Sequence, residues 1–172
     1  MTGIKKKNGF TLIETVVATF VFSVVVIASQ GVFGKALTVV KSGTAAQRVQ
    51  ESAQYALELM ARDIRVSSVS ADQEDALCAL SQLILVHPVL GSVVYRHDST
   101  SIERTVGGTS GHITADDVLI QGLSFCVRHA GVDGEQTRVT ILIDAVYNSE
   151  KTSEQKELRV QTTVSLRDYE TE

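Results

Sequence analysis

Residues 8–29 read NGFTLIETVVATFVFSVVVIAS and carry the strongest pattern in the sequence. The 20 residues Phe10–Ser29 would span about 30 Å as a helix, which matches the hydrocarbon core of a bilayer. Glu14 is the only ionisable side chain between Phe10 and Ala28. Three lysines at positions 5–7 precede the segment and favour a cytoplasmic N-terminus. The pattern therefore predicts a membrane helix with the rest of the chain outside the cytoplasm.

Three interpretations of this segment compete. A secretory signal peptide has the same basic start and apolar stretch, and cleavage before Ser29 would follow the small residue Ala28. An uncleaved signal anchor needs the same features. Neither interpretation gains anything from Glu14, because a carboxylate in a membrane stretch costs about 3 kcal/mol on insertion scales. An ionisable residue in such a segment therefore indicates a function that requires a partner.

The stretch KNGFTLIE at residues 7–14 resembles the type III signal of type IV prepilins and type II secretion pseudopilins. In that family a short basic leader ends in glycine, and Phe-Thr-Leu-Ile-Glu then opens an apolar helix. The resemblance implies cleavage after Gly9 by a membrane prepilin peptidase and N-methylation of the new N-terminal Phe10. It favours a pilin-like chain over the signal-peptide and anchor interpretations.

The residue types suit this processing. Gly9 has no side chain, so the scissile peptide can extend closely against a protease. In a filament, Glu14 can pair with the Phe10 amine of a neighbouring subunit, which compensates both charges and fixes the axial register. The alternative is a contact with the amine of its own chain, one helical turn away. Gly9 and Phe10 are thus the expected processing residues, and Glu14 is the expected assembly residue.

Residues 34–68 predict an amphipathic helix that continues the membrane helix of residues 10–33. Gly31 stands where this helix should leave the membrane, either as a mild destabilisation or as part of a segment that unwinds in a filament. Residues 50–65 resemble the helix of J-type minor pseudopilins and W-type minor pilins. The apolar stripe recurs every three or four residues, at Val49, Ala53, Ala56, Leu57, Met60 and Ile64. Charged residues are expected on the other faces, at Arg48, Glu51, Glu58, Arg62, Asp63 and Arg65.

Residues 69–172 change to a period of two and predict a β-rich head. With a leader at residues 1–9, the expected fold is α+β and pilin-like, with the long N-terminal helix packed on a C-terminal antiparallel β-sheet. Loops are expected at residues 97–101 and 107–111. The predicted strands lie at residues 83–87, 93–96, 102–106, 118–127, 138–147 and 157–167.

Two cysteines, Cys78 and Cys126, lie far apart and outside any CxxC or Cys/His metal spacing. A disulfide between them is chemically allowed if the head lies outside the cytoplasm. Both also lie in apolar stretches, where a free cysteine often serves as a small core residue. The sequence leaves both possibilities open.

No pattern in the head indicates catalysis, a cofactor or a metal, so we expect a non-enzymatic protein. The four histidines lack metal-ligand spacing, and no GxSxG elbow is present. Asp116–Asp117 and residues 133–135 offer hard oxygen ligands for weak Ca²⁺ binding, but solvated turns explain them equally. The histidines are His87, His97, His112 and His129.

The charge balance bears on the partners. The chain has a net charge of −4, and removal of residues 1–9 leaves 13 basic against 20 acidic side chains. An acidic body disfavours nucleic acid as a ligand. The resemblance implies other pilins or pseudopilins, prepilin peptidase, an inner-membrane assembly platform and the lipid bilayer as partners.

The expected function is that of a minor pilin or pseudopilin that helps to initiate a filament or form its tip. Such a subunit would be single-pass in the cytoplasmic membrane, with its head outside, before it enters a pilus or pseudopilus. The alternatives are a filament-displayed adhesin or DNA-binding module, a secreted protein with an ordinary signal peptide, and a membrane-anchored enzyme or sensor.

Overall fold

The computed structural model describes residues 9–130, 135–149 and 155–167. One α-helix, α1 (Leu12–Val66), precedes a short 3₁₀ turn (Ala71–Gln73) and the strands. The strands in the described part of the chain are β1 (Asp75–Leu80), β2 (Gln82–His87), β3 (Gly91–Asp98), β4 (Ser101–Val106), β5 (Thr109–His112), β6 (Val118–Arg128), β7 (Arg138–Tyr147) and β8 (Glu157–Ser165).

The chain divides into two compact units, Met1–Lys41 and Ser42–Glu172. The division falls within α1, which runs without a break through Gly31 and Gly34. The α+β architecture is confirmed: one long N-terminal helix, followed by antiparallel sheets on which its second part packs.

In the first unit, the described residues form a helix whose large apolar side chains are exposed. This part of α1 is long and apolar enough to cross a membrane, and none of its apolar window is buried. Its hydroxyl groups bond within the helix: the Thr19 hydroxyl donates to the Thr15 carbonyl at 2.7 Å, and that of Ser23 to the Thr19 carbonyl at 2.8 Å. Such bonds to the residue four positions earlier satisfy these hydroxyls in an apolar medium.

In the described residues of the second unit, the predicted antiparallel β-sheet head consists of two four-stranded sheets. We call the β2-β3-β4-β5 sheet the hairpin sheet and the β1-β6-β7-β8 sheet the C-terminal sheet. The two sheets are separate because β6 meets the β3–β4 hairpin through isolated bonds rather than a ladder. The Ile120 amide donates to the Thr100 carbonyl at 2.8 Å, and His97 Nε2 donates to the Ile120 carbonyl at 2.8 Å.

Two strands were missed by the sequence analysis. β5 occupies part of the predicted loop at residues 107–111, because Gly107 and Gly108 adopt positive φ and turn the chain back against β4. β1 is irregular, since Cys78 has a φ of 60° and the pairing with β6 shifts register between Asp75 and Leu80. Neither strand shows a regular alternation of apolar residues, which is the signal that identified the other six.

The core of the second unit lies between the C-terminal part of α1 and the inner faces of both sheets. The predicted apolar stripe of α1 is buried, except that Leu57 is only partly covered. The largest fully buried side chains from α1 and the strands are Tyr95, Phe125, Met60, Ile64, Leu83, Leu85 and Ile102. This packing holds the helix against the head.

Asp63 was expected on a face of the helix other than the apolar stripe, but the structure buries its side chain against the hairpin sheet. Its side chain is 3% exposed. Its Oδ2 atom accepts hydrogen bonds from the Tyr95 hydroxyl and from Arg104 Nη2, each at 2.7 Å. Burial, followed by the hydrogen bond to Asp63, raises the pKa of the Tyr95 phenol, so its hydroxyl stays a donor. The buried carboxylate is stable because these two hydrogen bonds compensate its removal from water. Both partners come from the hairpin sheet.

Cys78 and Cys126 form a disulfide in the structure. The bond joins the irregular β1 to β6, across a separation of 48 residues. The Asp75 carboxylate also organises β1, because its two oxygens accept the amides of Leu77 at 2.8 Å and Ala79 at 2.7 Å. The disulfide and the Asp75 hydrogen bonds fix β1, whose pairing with β6 is irregular.

Candidate processing and assembly site

The peptide between Gly9 and Phe10 lies in an accessible stretch just before α1 begins at Leu12. A Cβ atom added at Gly9 would meet nothing within 4 Å, and Phe10 is 80% exposed. Both residues are outside regular structure, and a protease needs an extended substrate backbone. The geometry leaves this peptide open to an enzyme.

Thr11 caps the helix. Its carbonyl accepts the amides of Glu14 at 3.1 Å and Thr15 at 3.2 Å, and its hydroxyl oxygen accepts the Glu14 amide at 3.4 Å. The spacing Thr-x-x-Glu is that of a capping box, in which a hydroxyl residue caps and a carboxylate stands three residues later. The same spacing is visible in the sequence at residues 11–14.

The cap places Glu14 in the first turn of α1, where the partial positive charge of the helix end favours a carboxylate. Its neighbours Leu12, Ile13 and Val17 are apolar and more than half exposed. Within residues 9–130, 135–149 and 155–167, the Glu14 carboxylate makes no hydrogen bond or ion pair. The described chain therefore supplies no counter-charge for this carboxylate.

Farther along the same helix, small side chains leave a shallow apolar groove on one side. Phe33 forms one wall, and Ser29 and Gly34 leave the space. The Ser29 hydroxyl donates its hydrogen to the Val25 carbonyl at 2.8 Å. The groove can accept an apolar side chain from another helix, which is how small residues act in membrane helix packing.

The histidines considered as ligands have other contacts. His87 Nδ1 accepts the amides of Val89 and Leu90, each at 3.1 Å. His112 lies 3.3 Å from the Asp98 carboxylate, and His129 contacts Glu135. No group of three metal-ligating side chains occurs in the described residues.

The two acidic turns considered for Ca²⁺ are not brought together by any contact in the described structure. Asp117 lies 3.7 Å from Arg48 of α1, which gives its carboxylate a cationic partner. Of the second turn, Asp133 and Gly134 lie outside the described residues. Asp117 is therefore an ion-pair partner of Arg48, and Glu135 of the second turn contacts His129.

Residues 4–29 match the family model described as the prokaryotic N-terminal methylation motif. The match covers the basic leader, the Gly9–Phe10 peptide, Glu14 and most of the apolar segment. We found no significant match to a protein of curated function or to a solved structure. The matched residues are those in which the structure shows an open peptide, a capped helix start and a span of exposed apolar side chains. The chain therefore carries the prokaryotic N-terminal methylation motif of type IV pilin-like proteins.

Proposed function

We propose that this chain is a minor pilin or pseudopilin, a structural subunit that is processed after Gly9 and methylated on Phe10. It is stored in the cytoplasmic membrane through α1, with its head outside, and enters a filament through an inner-membrane assembly platform. Its place is at filament initiation or in the tip complex, as the similarity of residues 50–65 to the J- and W-type helix implies. The methylation-motif family is structural, and we assign no enzymatic role.

The observation that carries the proposal is the combination of an open Gly9–Phe10 peptide with an unpartnered Glu14 on an exposed apolar helix. An ordinary signal peptide gains nothing from the carboxylate. Cleavage after Gly9 creates an amine on Phe10, four residues before Glu14. The processing event therefore supplies the cation that this carboxylate lacks.

The Glu14 carboxylate and the Phe10 amine also provide a mechanism for assembly. In a bundle of apolar helices, an isolated carboxylate is costly, and pairing with the Phe10 amine of a neighbouring subunit removes that cost. Because the pair forms only at one axial offset between two helices, it also sets the register. Contact with the amine of its own chain can hold Glu14 before assembly. The pair thus couples leader removal to filament growth.

The direct test is mass spectrometry of the full chain expressed with and without a prepilin peptidase. We expect the peptidase to remove the mass of Met1–Gly9 and, through methylation, to add one methyl group at Phe10. A mature N-terminus at Ser29 would instead identify an ordinary secretory signal. An intact leader in the presence of an active peptidase would exclude the proposed processing.

A second test addresses the role of Glu14. Replacement by leucine, Glu14→Leu, should preserve membrane insertion, because it makes the helix more apolar, and should reduce recovery in assembled filaments. Gln47→Leu is a matched control, because it removes an exposed polar side chain from the same helix, outside both the motif and the groove. Equal filament recovery for Glu14→Leu and the wild type would eliminate the pairing role while leaving processing intact.

A further inference from the structure

β1 is the segment through which the chain passes from the C-terminal sheet to the hairpin sheet, since only Ser81 separates it from β2. As an edge strand, it covers the backbone groups of β6 behind it. A strand that loses such a cover exposes amides and carbonyls that can pair with another chain. The way in which β1 is held therefore decides whether this edge of the C-terminal sheet is closed.

The backbone pairing of β1 with β6 is irregular. Asp75 lies opposite Val127 and Leu80 lies opposite Phe125, with a shift of register between the two pairs. β7 and β8 of the same sheet, by contrast, pair without a shift. The ladder therefore contributes little to holding the middle of β1 on the sheet.

The side chains of β1 add little burial. No residue of this strand is buried, and Leu77 is 89% exposed. Leu80, at the end of the strand, packs partly against the core. The Asp75 carboxylate accepts the amides of Leu77 and Ala79, which shapes β1 but does not tie it to β6.

The residues just before β1 are held by other contacts. The Glu74 carboxylate accepts the amides of His129 at 3.0 Å and Ala130 at 2.6 Å. The Gln73 side chain accepts the Ile84 amide at 2.8 Å and donates to the Ile84 carbonyl at 2.6 Å, which closes the outer edge of β2. These bonds fix the entry to β1 and leave the strand itself to the disulfide.

The disulfide joins the middle of β1 to the buried side of the pairing. Cys78 has a φ of 60° and is partly exposed, and its sulfur is bonded to that of Cys126, which is 5% exposed. The bond therefore lies where the ladder between β1 and β6 is interrupted.

The backbone groups of β6 that β1 covers follow from the register of the sheet. The Tyr147 amide bonds to the Lys156 carbonyl, so odd-numbered residues of β7 face β8 and even-numbered residues face β6. Cys126 lies opposite Thr140 and thus bonds to β7 through its backbone. Its two odd-numbered neighbours direct their amides and carbonyls to β1. These neighbours are Phe125 and Val127.

We propose that the Cys78–Cys126 disulfide is a redox-sensitive latch, which keeps β1 on β6 and which a dithiol opens without unfolding the head. A thiolate of the dithiol attacks the sulfur of Cys78, the more accessible cysteine, and Cys126 leaves as a thiolate that takes up a proton. The second thiol of the dithiol then attacks the mixed disulfide and releases Cys78 as a thiol. Two electrons and two protons pass to the two cysteines, and the dithiol leaves as a disulfide.

Opening of the latch leaves the backbone groups of Phe125 and Val127 unpaired, so that β6 becomes an open edge. The rest of the head stays folded, because both side chains are buried in the core and β6 keeps its ladder with β7. Closure of this edge therefore depends on oxidation of two thiols. With the head outside the cytoplasm, a location that rests on the proposed function, the edge closes only after the head has reached an oxidising compartment.

Hydrogen exchange of the purified full chain in detergent, with and without dithiothreitol, tests the latch. The starting material is the folded, oxidised protein, so the test needs no variant that must fold without the bond. We expect reduction to speed exchange of residues 75–80 and of the Phe125 and Val127 amides at least about tenfold, since local opening exposes them. The Ile143 amide faces β8 and should keep its rate.

Two variants serve as controls. Cys78→Ser combined with Cys126→Ser removes the latch and should give the fast exchange both with and without dithiothreitol. Leu77→Ala changes an exposed side chain of the same strand and keeps the disulfide, so its exchange should respond to dithiothreitol as that of the wild type does.

Three results would overturn the proposal. The first is unchanged exchange of β1 and of Phe125 and Val127 after reduction verified by mass, since β1 would then be held without the bond. The second is equal acceleration at Ile143, since the bond would then hold the whole head. The third is a disulfide that is reduced only after the head unfolds. None of these measurements involves Gly9, so failure of the latch and failure of leader cleavage can be told apart.

Discussion

Two carboxylates on the same helix have opposite surroundings. Glu14 lies in the first turn of α1 among exposed apolar side chains, and its carboxylate has no partner in the described chain. Asp63 lies near the other end, is 3% exposed, and is bound by Tyr95 and Arg104. A carboxylate removed from water requires a partner. Asp63 has its partners within the described chain, whereas Glu14 has none there.

The apolar side chains of the helix also differ in exposure between its two parts. In the first unit they are exposed, with Phe22 at 68%, and in the second unit they are buried, with Met60 at 0%. Buried apolar surface contributes to the stability of the head, at about 25 cal/mol per Å². Exposed apolar surface contributes only when lipid or another helix covers it. One continuous helix therefore has a first part whose apolar side chains are exposed and a second part whose apolar side chains pack into the head.

The largest effect should follow removal of Asp63. Asp63→Ala leaves the Arg104 guanidinium and the Tyr95 hydroxyl in the head without their acceptor, which should lower the free energy of unfolding by about 3–5 kcal/mol. Urea unfolding of the full chain in detergent, followed by the β-sheet circular dichroism signal, measures this loss. Glu58→Ala, on the exposed face of the same helix, should change it by less than about 0.5 kcal/mol. Equal losses would contradict the assignment of Asp63.

Truncation of apolar side chains tests the division of the helix directly. Met60→Ala should destabilise the head by about 2–5 kcal/mol, because it removes a fully buried side chain and leaves a cavity. Phe22→Ala removes a larger side chain from the exposed part of the helix and should leave head unfolding unchanged. If Phe22→Ala destabilised the head as much as Met60→Ala, the two parts of the helix would not be independent.

A smaller effect is expected at the closed edge of the hairpin sheet. Gln73→Leu removes both bonds to the Ile84 backbone and should lower the free energy of unfolding by about 1–3 kcal/mol. Gln73→Glu separates the two bonds, since its carboxylate can still accept the Ile84 amide but cannot donate to the carbonyl. We expect its loss to be intermediate. Chemical denaturation of the three proteins ranks them, and wild-type stability for Gln73→Leu would contradict the role of this side chain.

The smallest effect should depend on pH. The amides of Ala130 and His129 donate to the Glu74 carboxylate at 2.6 and 3.0 Å and lower its pKa below the ordinary 4.5. A lowered pKa in the folded state means that this stabilisation is present above pH 4.5 and is lost as the pH falls through the lower, folded-state value.

The stability difference between wild type and Glu74→Gln should therefore shrink on acidification below pH 4.5. Unfolding midpoints measured between neutral and acidic pH give this difference. Leu77→Ala, an exposed and non-titrating change nearby, should shift the midpoints equally at all pH values. A difference for Glu74→Gln that stays constant with pH would mean that the carboxylate is not the group responsible.

Much of the fold could be predicted because it depends on local patterns. The methylation motif, the apolar segment and the helix stripe from Val49 to Ile64 are all visible within short windows. Six strands were found through their alternation of apolar residues. β1 was missed because its backbone is set by the Asp75 carboxylate and by the positive φ of Cys78. β5 was missed because the Gly107–Gly108 turn brings it back against β4. An alternation of apolar residues indicates neither feature.

The surroundings of charged residues were harder to predict. Asp63 follows Arg62 in the sequence and looks like another residue of a solvated face, yet its neighbours in space are Tyr95 and Arg104. The side chain of Gln73 bonds to the backbone of Ile84, which lies 11 residues later in the sequence. Such pairs depend on how the helix and strands meet, and no local window contains that information.

The order of residues was enough to establish the N-terminal motif, the span of the apolar helix and the α+β class, because each follows from periodicity or from consecutive side chains. The division of the strands into two sheets, the burial of Asp63 and the pairing of Cys78 with Cys126 arise when distant segments pack together. Hydrogen bonds and apolar contacts act over a few ångströms in space, so only the folded chain brings those groups within reach.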